Sequence, residues 1–338
     1  MRTVTLLEPG KLALSETSMP AEPGPGQALV RVHRIGICGT DMHAFRGTMP
    51  FLTYPRILGH ELGVEVEALG EGVSNVSLGD RCAVECYLNC GKCVACRAGK
   101  TNCCESLRTL GVHTDGGMRD YFLLPANKLH ASKTLTYDQL AIVEMLCIGA
   151  HAIRRSQPQE GEPTLVVGAG PIGLGVMAFA KAAGAEVIGM EIREDRIRFA
   201  ESDLGVRRWV QPGPDAARAL RELSGGDLPT LVLDATGNAA SMMAAFDLVA
   251  PGGKLVYVGL FQGDVHFHDP RFHSHEMTIM ASRNATAEDF RHVMSCLETG
   301  SVDITNWITH QESFTNTVDV FPTWLEPEAG VIKAELCL

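Results

Sequence analysis

Thr164-Leu-Val-Val-Gly168-Ala-Gly170-Pro171-Ile172-Gly173-Leu-Gly-Val-Met-Ala-Phe-Ala-Lys-Ala-Ala183 decides the fold of this chain. A short β-branched run leads into G-x-G-x-x-G, and the apolar residues that follow have helical spacing. Alone the glycine pattern is weak. Here it sits between a strand and a helix, and the next strand, Glu186-Val-Ile-Gly-Met190, ends at an acidic residue, Glu191. That context is what a dinucleotide-binding turn requires. Gly168 permits the tight turn, Gly170 lets the backbone approach a pyrophosphate, and Gly173 lets the helix pack close to the sheet. The free N–H groups of the helix start then face the phosphates. Glu191 would accept hydrogen bonds from the adenosine ribose and repel a 2′-phosphate, so NAD is expected over NADP. Arg193 is near enough to blur that choice, unless it is simply a solvated residue at a helix start.

Outward from this turn the same rhythm continues. Strands are expected at Thr230-Leu-Val-Leu-Asp234 and Lys254-Leu-Val-Tyr-Val-Gly259, and helices at 172–183, 195–202, 239–249 and 288–298. Strands alternating with helices indicate a doubly wound parallel sheet. Residues 1–85 read differently. Short alternating stretches such as Ala28-Leu-Val-Arg-Val32 are punctuated by Gly, Pro and Asp, as in Glu22-Pro-Gly-Pro-Gly26. That is an antiparallel, β-rich pattern. We therefore expect an α/β protein with a β-rich domain at 1–150 and 289–338, a dinucleotide-binding domain at 151–288, and a cysteine lobe at 86–106.

The lobe contains Cys90-Gly-Lys-Cys93-Val-Ala-Cys96, closed by Cys104. Four thiolates at this spacing can surround one zinc ion tetrahedrally and leave it no open position, so the site is expected to be structural. Cys103 competes with Cys104 as fourth ligand. Five of the eleven cysteines fall in this site and in the one described next. The others read as thiols of a reducing cytoplasm rather than as disulfides.

A second set is Cys38 and the pair His60-Glu61. Thiolate, imidazole and carboxylate suit zinc, and three protein ligands leave a position for water or substrate. A His-Glu pair is also a common surface or core pair. The histidines His266, His268, His273 and His275 offer a third grouping if 266–268 and 273–275 are strands; a solvated loop or a subunit contact is the expected reading.

The net charge of −11 argues against a nucleic-acid or anionic-membrane partner. The N-terminal segment has no apolar core of a secretory signal. The longest apolar stretch, 165–180, contains four glycines and a proline and is not expected to span a membrane.

Taken together, Gly36-Ile-Cys38-Gly-Thr40-Asp41-Met-His43, Gly59-His60-Glu61, the cysteine lobe, Asp115-Gly-Gly-Met118, the glycine turn and Ser282-Arg283-Asn284 resemble the zinc-containing medium-chain dehydrogenase/reductase family over essentially the whole chain. Within it the chain is similar to the polyol and sugar-acid branch, which includes sorbitol, threonine and L-galactonate dehydrogenases. The resemblance implies a GroES-like catalytic domain, a Rossmann domain, and two zinc ions per subunit, one catalytic and one structural. It favours Cys104 as the fourth lobe ligand. It adds Glu144 to Cys38, His60 and Glu61 around the catalytic zinc, directly or through water. It assigns a proton relay to Thr40 and His43, and an orienting role toward His60 to Asp41, with Lys333 paired to that aspartate. Cofactor contacts fall on Pro171, Ile172, Arg196, Leu260 and Arg283.

The implied reaction is NAD-linked oxidation of a secondary hydroxyl on a polyol, sugar or sugar acid, in a cytoplasmic homodimer or homotetramer. L-Threonine 3-dehydrogenase is the alternative, and a nucleotide-binding protein without catalysis a remote one. Two departures stand out. Met145 follows Glu144 where the branch carries proline, and Ala44 stands where sorbitol enzymes carry tyrosine. Substrate loops are expected near 44–54, 108–119 and 283–284, with Arg46, Arg108 or Arg119 available for a carboxylate.

Overall fold

The computed structural model describes every residue except Phe51, which lies within the expected substrate loop 44–54. The chain divides into two compact units, 1–145 with 285–338, and 146–284. The boundaries expected from sequence, 150/151 and 288/289, fall a few residues later. The first break is invisible in sequence because it lies inside one continuous helix, Tyr137–Ser156.

The first unit is built on a seven-stranded sheet. Its order is Ile308–Ser313, Lys333–Cys337, Gln27–Ile37, Glu61–Leu69, Arg81–Val84 and Leu129–Ser132, with Tyr121–Pro125 pairing to Gln27–Ile37. All pairings are antiparallel except the parallel contact of Ile308–Ser313 with Lys333–Cys337. Val30, Val32, Val64 and Val66 fill the core, as the alternation requires. The register matters most for function. Gly36 pairs with Glu61 and Ile37 with Ala334. Hence Cys38, His60, Glu61 and Lys333, remote in sequence, all come to one end of the sheet.

The second unit is a six-stranded, wholly parallel sheet. Its order is Trp209–Val210, Glu186–Met190, Pro163–Val167, Leu231–Asp234, Lys254–Tyr257 and Thr278–Ala281. Leu165, Ile188, Val232 and Leu255 form its buried spine. Buried on both faces, these strands read as continuous apolar runs rather than alternating ones. Pro163–Val167 sits where neighbouring strands are connected in opposite directions, and ligands of open α/β sheets bind at such a switch point.

Trp209–Val210, Thr278–Ala281 and the helix Ala216–Leu223 add to the elements expected from sequence. A two-residue strand has no periodicity to read. The expected helix 239–249 ends as an α-helix at Ala244 and tightens into a 3-10 turn, Ala245–Leu248. Residues 266–268 are irregular, and 273–275 belong to the end of the helix Asp269–Ser274 and its cap, so the expected strand faces for the histidines do not exist. Among the described residues no helix is long and apolar enough to cross a membrane.

Candidate active site and metal centres

At the end of the first unit's sheet the chain leaves Ile37 and turns at Cys38 into the helix Gly39–Phe45. Asp41 closes that turn. Its Oδ2 accepts from the Cys38 backbone N–H at 3.0 Å, and its Oδ1 accepts from Gly59 N–H at 3.4 Å and lies 3.8 Å from His60 Nδ1. One buried carboxylate thus ties the cysteine's loop to the histidine's loop. Burial pushes the Asp41 pKa up, against the pull of His60.

Ligand atoms of Cys38, His60 and Glu61 all lie within 4.8 Å of one another. His60 and Glu61 are buried, Glu61 Oε1 has no hydrogen-bond partner, and His60 Nδ1 has only Asp41 near it, at 3.8 Å. A buried carboxylate oxygen left so is costly, and a cation held by the three clustered side chains would satisfy it. The electrostatics agree. Burial alone would lower the His60 pKa, but Cys38, Asp41 and Glu144 outweigh it and push the pKa well above the ordinary value. The donor set is borderline-soft, as zinc prefers.

Gly36 makes this arrangement possible. A Cβ there would fall 2.3 Å from Glu61 Oε2. Only glycine leaves the carboxylate its place over the neighbouring strand.

Lys333 corrects an expectation. It was to pair with Asp41, but its Nζ contacts Glu61 Oε2 and donates to Ile37 O at 3.0 Å. The register explains this, because Ala334 opposite Ile37 sets Lys333 beside Glu61, while Asp41 is turned toward His60 and the helix start. Burial opposes the charge of Lys333, yet Glu61, Cys38 and Glu144 together hold its pKa above the ordinary value.

Glu144, on the helix Tyr137–Ser156, is buried and faces the same region but lies outside the three-residue cluster. Its Oε1 accepts from the Tyr87 hydroxyl, and Cys86 Sγ lies 3.8 Å from that same oxygen. Burial pushes its pKa up, opposed by the charge of His60. Thr40 is half-buried and His43 exposed on the helix Gly39–Phe45, with His43 Nδ1 2.9 Å from Thr48 Oγ1.

The sulfurs of Cys90, Cys93, Cys96 and Cys104 also lie within 4.8 Å of one another. A zinc tetrahedron with Zn–S of about 2.3 Å has edges of about 3.8 Å, so this cage fits one ion. Backbone N–H groups support the sulfurs: Cys90 N–H points to Cys104 Sγ at 3.2 Å and Cys93 N–H to Cys90 Sγ at 3.4 Å. Cys103 is exposed and lies outside the cluster, whereas Cys104 is buried and within it. A network not foreseen from sequence anchors the lobe. Buried Glu85 binds Lys128 and His130, Lys128 Nζ donates to Asn89 Oδ1 at 2.8 Å, and Asn89 Nδ2 lies 3.6 Å from Cys96 Sγ.

In the second unit Gly168 adopts φ +93°, and a Cβ on Gly173 would fall 1.8 Å from the Gly168 carbonyl oxygen. Gly170 caps the helix Pro171–Ala182, whose first residue is the proline that needs no N–H partner. Glu191 is more engaged than expected. It accepts from the backbone N–H groups of Ala169 at 2.8 Å, Ile192 at 2.7 Å and Arg193 at 3.0 Å. It therefore holds the glycine turn to the next strand. Arg193 is drawn to Asp195 at 2.6 Å, while Arg196 Nη1 lies 3.9 Å from Glu191 and beside Gly170. Ile172 is half-buried, and Leu260 and Arg283 are exposed.

Of the arginines considered for a carboxylate, Arg46 donates to Leu325 O at 2.7 Å, Arg108 is exposed, and Arg119 lies over the Phe122 ring at 5.5 Å. Among the described residues the four histidines of 266–275 form no metal-ligand cluster.

Comparison with known proteins agrees with this anatomy. The alcohol dehydrogenase GroES-like domain family matches residues 24–134, and the zinc-binding dehydrogenase family matches 171–299. L-Galactonate-5-dehydrogenase of Escherichia coli (strain K12) is 39% identical over 95% of this chain and 94% of its own length. Sorbitol dehydrogenase of Halalkalibacterium halodurans is 31% identical over 89% of each chain. Among solved structures, an alcohol dehydrogenase from Escherichia coli CFT073 complexed with NADH superposes with a TM-score of 0.93 at 29% identity, covering 100% of this chain and 99% of that one.

Proposed function

Because this chain belongs to the zinc-dependent alcohol and polyol dehydrogenase family, we propose that it oxidises a secondary hydroxyl of a sugar acid of the L-galactonate type, with NAD as hydride acceptor. The observation that carries the reading is the convergence of ligand atoms of Cys38, His60 and Glu61 on one point, with Glu61 Oε1 buried and without a hydrogen-bond partner. The likeness to L-galactonate-5-dehydrogenase supports the substrate class.

Cys38, His60 and Glu61 would hold the catalytic zinc, with Glu144 nearby, and the four lobe cysteines the structural one. When bound, zinc would supply Lewis acidity toward the substrate hydroxyl and NAD a hydride acceptor. The protein's own groups do the rest. Asp41 holds Cys38 and His60 in one geometry. Lys333 pairs with Glu61 and offsets part of its negative charge. Thr40 hands the proton outward and His43 releases it to water, a task suited to an imidazole. The unbridged thiols suit a reducing compartment such as the cytoplasm.

The test is NADH formation by zinc-replete protein across sugar acids, neutral polyols and L-threonine. L-Galactonate or a close stereoisomer should exceed its neutral polyol by at least about tenfold in kcat/KM, equivalent to about 1.4 kcal/mol of discrimination. Release of 2-amino-3-ketobutyrate from threonine at the highest efficiency would replace this reading with threonine dehydrogenase.

Glu191 should set the cofactor. Glu191→Ser is expected to raise the NADP-to-NAD ratio of kcat/KM by about tenfold, as the 2′-phosphate no longer meets a carboxylate. An unchanged ratio would place cofactor choice elsewhere. Since Glu191 also holds Ala169, a fall in NAD use is expected in the same variant.

A further inference from the structure

We propose that Tyr87 is a positioning residue that holds the Glu144 carboxylate outside the ligand shell of the catalytic metal. The inference rests on the metal reading of Cys38, His60 and Glu61. The resemblance placed Glu144 among the ligands, yet the structure leaves it outside their cluster. The reason is on the other side of the carboxylate. Tyr87 is buried, its hydroxyl donates to Oε1, and Cys86 brings its sulfur to the same oxygen. Breaking a hydrogen bond between two buried groups costs the desolvation of both.

Tyr87 is itself well fixed. It lies in the short strand Tyr87–Leu88, paired with Arg108–Thr109, three residues before the lobe ligand Cys90. One short segment thus joins the holder of Glu144 to the cysteine cage. In this arrangement the Glu144 carboxyl stays outside the cluster of Cys38, His60 and Glu61, which would leave a metal held there a position for substrate. Releasing Oε1 would let the carboxylate fill that position.

The test uses the full-length protein loaded with zinc or cobalt, with Tyr87→Phe, Glu144→Gln and both together. The expected result has three parts. Wild type binds two metals. Y87F slows transfer of the catalytic-site zinc to a chelator by about tenfold, the lower end of what residues surrounding a metal's ligands contribute. In the cobalt form Y87F also blunts the spectral change produced by added imidazole, because the open position is taken. Y87F in the E144Q background has no such effect, since there is no carboxylate to release.

Unchanged release and spectra in Y87F overturn the proposal, and so do equal changes with and without the carboxylate, which mark a merely structural tyrosine. E144Q supplies an independent check should Y87F fold poorly. If E144Q alone sheds metal as fast as Cys38→Ser, the carboxylate is already a ligand and Tyr87 does not hold it away. A wild-type protein that binds only the lobe metal overturns the metal reading itself, a result distinct from two bound metals with an indifferent Y87F.

Discussion

Cys38→Ser is expected to abolish turnover while leaving a folded protein that carries one zinc instead of two. The sulfur is one of three ligand atoms within 4.8 Å of one another, and removing it leaves a histidine and a glutamate already shared with Lys333. The Lewis acidity of a catalytic zinc is worth several kcal/mol in the transition state. At about 1.4 kcal/mol per factor of ten, the rate should fall by roughly three orders of magnitude or more. The fold should hardly notice. Cys38 is half-exposed and occupies the cap of the helix Gly39–Phe45, a position where serine is preferred. Asp41 reaches the backbone N–H of residue 38, not its side chain, so the turn that presents His60 survives. NAD affinity should also persist, since the glycine turn is in the other unit. Metal analysis, thermal unfolding and NADH titration on one sample check the three clauses. Full activity with one metal missing would remove zinc from the mechanism, and a collapsed melting temperature would make Cys38 a structural residue.

The ease with which parts of this site were read from sequence follows from how local their physics is. The glycine turn is legible because strand, turn, helix and acidic residue lie within thirty positions, and each glycine answers a local steric demand such as the 1.8 Å approach at Gly173. The cysteine cage is legible for the same reason. Gly36 was not. Its neighbour Glu61 is twenty-five residues on, and only the register of two strands reveals that a Cβ at Gly36 would strike a carboxylate. The acid that Lys333 meets is not legible in sequence, because more than 270 residues separate it from either Asp41 or Glu61, and a single pairing, Ile37 with Ala334, chooses between them. Tyr87 gave no signal at all. In Glu85-Cys-Tyr-Leu-Asn89 it reads as one more apolar strand residue, and its hydroxyl acquires meaning only when the helix Tyr137–Ser156 brings Glu144 to it. That helix was itself hard to see. Its stretch from Leu140 to Cys147 is buried almost continuously, so the usual contrast between apolar and polar faces is lost.

Cys96→Ala should show the opposite signature to Cys38→Ser, with stability lost first and activity lost only as a consequence. The lobe has little else to hold it. Its one α-helix, Val94–Arg97, is four residues long and buries no side chain, and three of the four cysteines are only partly buried. A segment so short of apolar burial does not order itself, and a structural zinc contributes its binding free energy directly to folding. Cys96 also meets Asn89, the outer end of the network through Lys128 to Glu85, so losing its sulfur loosens the join between lobe and sheet. We expect a drop in melting temperature of roughly 10 °C. For a unit of this size, where about 1 kcal/mol moves the midpoint by about 2–4 °C, that corresponds to about 3–5 kcal/mol. The variant should bind one zinc, and below its new midpoint it should still oxidise substrate, at a reduced rate. Wild type stripped by a chelator at the lobe should melt at the same lower temperature, and zinc should restore wild type but not the variant. An unchanged midpoint in a variant that has lost the metal would mean that the cage binds zinc without stabilising the fold. Its role would then have to be sought in the path from Cys90 through Tyr87 to Glu144.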